Sequence, residues 1–258
     1  MVDEPFQIFH TSENRSIAYV KRYIKQSSDQ SPGIIFLGGL RSDMQGTKAS
    51  YLEKWCFEKE CNFLKFDYSG HGQSSETFES GCISDWKNDA CEVLDNLSEG
   101  PQILIGSSMG GWISLLLGNL RPKRIMAFIG IATAPDFTET SMWANLDVNA
   151  RKKLNKFGKV EIDSNYSDEP YIVTKKLIED GRSNLIMNTP LLSPFPIRLL
   201  QGMLDNEVHY SQSISLAENI SHNDVKVVIC KDADHQFSSP LDHAVSCGPK
   251  AKEDRNAL

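Results

Sequence analysis

Residues 104–112, LIGSSMGGW, set Ser108 between Gly106 and Gly110, with Gly111 directly after. A serine hydroxyl becomes a nucleophile only when a base takes its proton. A G-x-S-x-G turn between a strand and a helix lifts such a hydroxyl clear of its neighbours. Glycine inside a helix costs about 1 kcal/mol relative to alanine, so three of them around one serine imply a turn too tight for a Cβ. Ser107 is the rival nucleophile, but only Ser108 has a glycine two residues away on each side. The chemistry this pattern suits is acyl transfer through a covalent intermediate.

The base for such a serine is a histidine oriented by a carboxylate, and on this kind of turn the chain order is serine, acid, histidine. His10 and His71 precede the serine, and His209, His222 and His243 lie within or beside polar or helical stretches. His235 stands in a loop just after the apolar run VKVVIC (225–230), and Asp205 follows IRLLQG (197–202) in the same way. Glu207, Asp232 and Asp234 are the rival acids. The expected catalytic set is therefore Ser108, Asp205 and His235. Its oxyanion donors are expected to be two backbone N–H groups, of Met109 at a helix N-terminus and of Leu40 in the loop after GIIFLGG. Arg41 beside Leu40 reads equally as an anion-binding group and as a solvated side chain. In FDYSGHGQSS (66–75), Asp67, Gly70, Gly72 and Ser74 read as a structural turn. No metal-type cysteine spacing occurs, and neither metal nor organic cofactor is expected.

Elements that bring these residues together are legible as alternation. FQIF and SIAYVKRYI suggest an N-terminal antiparallel hairpin. Continuous apolar runs follow at 33–39, 62–68, 102–108, 124–132, 197–202 and 225–230. Runs of this kind suit strands buried on both faces of a parallel sheet. Helical spacing occupies 48–60, 82–97, 211–220 and the segment after Ser108. The expectation is an α/β fold: a doubly wound, mainly parallel sheet with helices on both faces and right-handed crossovers. Residues of about 134–196 break the rhythm and read as small helices or a short hairpin forming a small, mainly helical lid, because ligands bind at the C-terminal edge of such sheets, with a surface excursion as the competing reading. Within it, Trp143, Phe157, Tyr166 and Tyr171 are candidates to line an apolar pocket.

The 258 residues are read as a single domain ending in a polar tail at about 248–258, where little apolar periodicity supports a final helix. A net charge of −7 argues against a nucleic-acid binder. No apolar stretch approaches the roughly 20 residues of a membrane span. The N-terminus lacks an apolar h-region, so the expected compartment is cytosol-like, or the mitochondrial matrix for a processed precursor. The six dispersed cysteines read as reduced thiols.

In the order in which they occur, these segments resemble the α/β-hydrolase fold enzymes over residues from about 15 to 240. LGGLRSDMQGTKA, GSSMGGW, SPFPIRLLQGMLDNEV and DADHQF are similar to the subgroup of α/β-hydrolase domain-containing protein 10 and its bacterial relatives. That resemblance implies an acyl-protein thioesterase or acyl-glucuronide esterase activity on a small acyl ester or S-acylated substrate. It also implies Ser108, Asp205 and His235 as the catalytic set and Leu40 and Met109 as oxyanion donors. A peptidase of prolyl-oligopeptidase type and a noncatalytic receptor are the rival readings. The first lacks its propeller domain in this chain, and the second has no use for all three groups.

Overall fold

The computed structural model describes residues 6–22, 32–162 and 170–237. The N-terminal segment forms the expected antiparallel hairpin, β1 (Gln7–His10) with β2 (Ser16–Arg22). Next along the chain come β3 (Gly33–Leu37), β4 (Phe63–Phe66), β5 (Gln102–Ser107) and β6 (Ile125–Ile131). β7 (Lys159–Ile162) and β8 (Tyr171–Thr174) make a separate antiparallel pair, and β9 (Ile197–Gly202) and β10 (Val225–Cys230) complete the main sheet. Its strand order is β1-β2-β4-β3-β5-β6-β9-β10, parallel from β4 to β10.

Every position of β3 and β4 is buried, as continuous apolar runs require when both sheet faces are covered. Side chains alternate between two core layers. Ile35 and Leu37 join Trp86, Leu94 and Trp112 from α2 (Ile83–Leu97) and α3 (Met109–Leu120). Ile34 and Phe36 face Ala49, Leu52 and Cys56 of α1 (Thr47–Glu58) on the other side. β10 departs from the expectation of two buried faces: Val228 and Ile229 are exposed. It is the edge strand, pairing with β9 alone among the described residues.

The insertion between β6 and β9 holds both helices and a short antiparallel strand pair. A π-helical turn (Thr138–Trp143) leads to α4 (Val148–Phe157), the β7–β8 pair and α5 (Lys175–Arg182). Alternating β-branched residues explain the strands, with Val160 and Val173 cross-strand partners, both buried. Asp147 caps α4 through Ala150 N–H at 2.7 Å, and Thr174 caps α5 through Leu177 N–H at 3.1 Å. Asp136 accepts from the N–H groups of Ile186 (2.9 Å) and Met187 (3.0 Å), pinning the start of the insertion to its end. The Trp143 indole lies between the guanidiniums of Arg151 and Arg182, 4.8 and 4.7 Å from its centroid. After β9, α6 (Ser211–Asn219) crosses back to β10. The final helix and polar tail considered above lie outside the described residues, as do Tyr166, His243 and Cys247. Cys61, Cys82 and Cys91 are free thiols. No helix of the described residues is long and apolar enough to cross a membrane.

The 66–75 turn is structural, and it braces the loop after β3. Asp67 accepts from Met44 N–H at 2.6 Å with one oxygen and from Gln73 N–H at 2.9 Å with the other. Ser74 Oγ donates to the Asp67 carbonyl and accepts from Ala18 N–H on β2. Asp67→Ala leaves both N–H groups unpaired beside buried surface, which should cost about 2–4 kcal/mol in urea unfolding. A loss under about 0.5 kcal/mol would show that the tie carries no stability.

Candidate active site

The three glycines around Ser108 are explained by contact. A Cβ on Gly110 would lie 2.1 Å from the Leu37 carbonyl oxygen, and one on Gly106 would lie 2.4 Å from the Gly110 carbonyl oxygen. Gly111 packs so closely on Thr133 that a Cβ there would sit 2.6 Å from its methyl group. Helix α3 is thereby pressed onto the ends of β3 and β6, and the chain turns between β5 and α3 in a single residue. Ser108 takes that turn with φ 54° and ψ −117°, a region costing on the order of 1–3 kcal/mol for a residue with a Cβ. Its N–H donates to the Ile131 carbonyl at 2.9 Å, and its carbonyl accepts from Gly111 (3.0 Å) and Ala134 (3.2 Å). Both serines line a cavity of about 690 Å³, Ser107 as a buried side chain at the end of β5 and Ser108 as a half-buried one.

Around Ser108 the loop after β3 closes in. A Cβ on Gly39 would stand 3.4 Å from the Ser108 Cβ, and Leu40 lines the same cavity. Met109 is the first residue of α3, where backbone N–H groups have no partner within the helix. Neither the Leu40 nor the Met109 N–H donates to an acceptor among the described residues. Arg41 is exposed at the cavity, its guanidinium 5.7 Å from the centre of the Phe78 ring.

Asp205 and His235 arrive from the next two strand ends. Met203 N–H donates to the Cys230 carbonyl (2.8 Å) and Leu204 N–H to that of Ala233 (3.0 Å), which fastens the loop after β9 to the loop after β10. His235 Nδ1 lies 2.8 Å from Asp205 Oδ2. A carboxylate only accepts, so Nδ1 carries the proton and Nε2 of the neutral ring keeps its lone pair. His235 also lines the cavity that Ser108 lines. The other Asp205 oxygen accepts from Glu207 N–H (2.9 Å) and Val208 N–H (2.8 Å), and Gln201 Nε2 donates to Oδ2 at 2.8 Å. Burial alone would raise the Asp205 carboxyl pKa. The His235 hydrogen bond and charge, with the two backbone N–H groups, outweigh it and hold the value below the ordinary one.

The rival acids are placed otherwise. Asp234 Oδ1 accepts from Gln236 N–H (2.9 Å) and Phe237 N–H (3.0 Å), which shapes the turn around His235. Glu207 and Asp232 are exposed. Among the rival histidines, His71 is packed between Tyr68, Phe78 and Trp86, away from Asp205. Two participants carried weaker sequence signals. Gln201 is a fully buried amide in an apolar strand, and Ser213 Oγ in turn donates to its Oε1 at 2.9 Å. Lys48 is a cation in the first turn of α1, the end of a helix that disfavours positive charge. Either oddity marks its residue as placed for a reason.

Of the aromatic residues expected to line the pocket, Tyr171 does so. Trp143 is held between its two arginines and Phe157 is exposed, which corrects the sequence reading. The insertion contributes Phe137 and Met142 instead, while Arg41, Asp43, Lys48 and Glu207 give the cavity a charged portion. Among the described residues no three His, Cys, Asp or Glu side chains gather to hold a metal.

Comparison with known proteins places this arrangement. A family model described as Hydrolase_4, "Serine aminopeptidase, S33", matches residues 34–176. The mitochondrial palmitoyl-protein thioesterase ABHD10 of Mus musculus is 36% identical over 238 residues, 92% of this chain and 78% of the relative. A putative hydrolase from Agrobacterium vitis superposes with a TM-score of 0.88 at 38% identity, covering 94% of this chain and 97% of that one. The mouse α/β-hydrolase domain-containing protein 10 gives a TM-score of 0.84 at 33% identity, covering 94% and 95%. A doubly wound sheet with its glycine-framed serine at the C-terminal edge, and relatives this similar over nearly the whole chain, establish that the protein belongs to the α/β-hydrolase family.

Proposed function

We propose that the protein is a serine hydrolase cleaving acyl esters and thioesters, with Ser108 as nucleophile, His235 as base and Asp205 as the group that orients it. The observation that carries this reading is a serine held at positive φ on the cavity that also receives an imidazole locked by a carboxylate. Ser108 Oγ attacks the acyl carbonyl while His235 Nε2 takes its proton. The C–S or C–O bond then breaks, and His235 returns the proton to the departing thiol or alcohol. Water gives a proton to His235 as it attacks the acyl-enzyme; the C–O bond to Ser108 breaks, Ser108 recovers the proton and the acid leaves.

Backbone N–H groups of Leu40 and Met109 serve as donors to the tetrahedral oxyanion, the second strengthened by the N-terminal end of α3. Asp205 stays ionised through the working range and stabilises the imidazolium without taking its proton. The relatives named as thioesterases support an S-acylated substrate. A cavity of about 690 Å³ falls in the range of roughly 300–1,000 Å³ found for small-molecule sites. Phe137, Met142 and Tyr171 supply apolar surface for the acyl chain.

Fluorophosphonate labelling should place one adduct on Ser108, and Ser108→Ala should abolish both the adduct and turnover, a loss of about 10⁴-fold or more. Asp205→Asn should retain labelling only slowly and lower kcat roughly 10³- to 10⁴-fold. A chain-length series of acyl thioesters, set against aminoacyl amides, should show thioesters turned over faster. Faster amide cleavage would favour a peptidase, and no adduct at all would favour a receptor.

A further inference from the structure

Lys48 sits in an electrostatically awkward place. It occupies the first turn of α1, where the helix end carries partial positive charge, and it is half-buried in the wall of the cavity. An exposed lysine would turn outward into water. This one instead sends Nζ across to the Gln236 carbonyl, donating at 2.7 Å over a separation of 188 residues. Gln236 directly follows His235 in the chain.

The loop that carries His235 is held before the imidazole by the Leu204-to-Ala233 backbone bond, and the Asp234 carboxylate reaches past the imidazole to the N–H groups of Gln236 and Phe237. After the imidazole, Phe237 takes a positive φ of 47° and buries its ring beside α1. The Lys48 bond falls between these two anchorages. It joins the α1 side of the molecule to the Gln236–Phe237 peptide, one residue past the imidazole.

We propose that Lys48 is a positioning residue for the reaction: by holding the Gln236 carbonyl, its ammonium fixes the His235 loop so that the imidazole meets Ser108. The inference rests on the reading of Ser108, Asp205 and His235 as the catalytic set. The charged groups that act on the ammonium are Asp234 from the loop after β10 and Asp205 from the loop after β9, while His235 and Glu207 line the same cavity. Arg41 and Asp43 from the loop after β3 share the cavity. Burial pushes the ammonium pKa down to about 8, against the opposing pull of Asp234 and Asp205. The charged, stronger form of the bond is therefore present below about pH 8 and is lost as pH rises through that value.

Three proteins decide it: the unaltered chain, Lys48→Met and Lys48→Arg, each assayed for kcat and KM from about pH 6 to 10 and for fluorophosphonate labelling. In the unaltered chain, kcat should fall on the alkaline side near pH 8. Lys48→Met should lower kcat about ten- to a hundredfold at neutral pH, the scale of a slightly misplaced catalytic group, with KM within about threefold. Lys48→Arg should restore most of kcat and abolish the alkaline fall, because a guanidinium stays charged throughout. A side chain that only supported packing would lower stability without moving the pH profile. The proposal is overturned if Lys48→Met keeps kcat within about twofold, or if the arginine variant shows the same alkaline fall as the unaltered chain. Where the methionine variant fails to fold, the arginine profile decides alone. If the unaltered chain takes no label on Ser108, this inference and the hydrolase reading fail together. Should it take the label while Lys48→Met matches it, only the positioning role is lost.

Discussion

At a φ of 54°, the Ser108 backbone stands in a region that an L-residue avoids by on the order of 1–3 kcal/mol. Three hydrogen bonds to its own peptide groups and three glycine contacts with Leu37, Gly110 and Thr133 keep it there. Those contacts join the ends of β3, β5 and β6 to the start of α3, which is itself buried nearly all round. The strain is local, but what opposes it is the packing of half the sheet. A loosened α3 would let the serine relax into an ordinary turn and withdraw its hydroxyl from the cavity.

The opposite wall of the site is built on another principle. Asp205 is ionised and buried, a combination that costs several kcal/mol unless every oxygen is partnered. Here both are: two backbone N–H groups on one, the Gln201 amide and the imidazole on the other. Gln201 also donates to the Val208 carbonyl and accepts from Ser213, so the network reaches α6. Each partner restricts the carboxylate to one orientation, and the carboxylate restricts the ring. Ser108 is placed by sterics, His235 by hydrogen bonds.

Much of this was legible in the chain. Continuous apolar runs marked the parallel strands, because burial on both faces erases the alternation an exposed sheet would show. The glycines marked the turn at Ser108, since nothing larger fits against Leu37 and Gly110. Asp205 and His235 could be chosen because each follows a strand directly. The insertion was harder. Its strands are four residues long, and whether Trp143 faces the cavity or its two arginines depends on tertiary contacts that no local pattern encodes. β10 read as fully buried from its apolar composition, and only its place at the sheet edge exposes Val228 and Ile229.

Strand ends and insertion divide the work between them. Ser108, Asp205 and His235 are borne on turns that leave parallel strands at one edge, so their relative positions follow from the strand register. Phe137, Met142 and Tyr171 hang instead on a segment tied down at its base by Asp136 and at its middle by the Trp143 stack. Substitutions in that segment reshape the apolar part of the cavity while leaving the sheet edge untouched. The segment can thus vary the apolar wall without disturbing Ser108, Asp205 and His235. Because the start of α1 and the loop after β10 meet through the Lys48-to-Gln236 bond, the same cavity holds a cation beside His235 and the apolar surface of Phe137, Met142 and Tyr171.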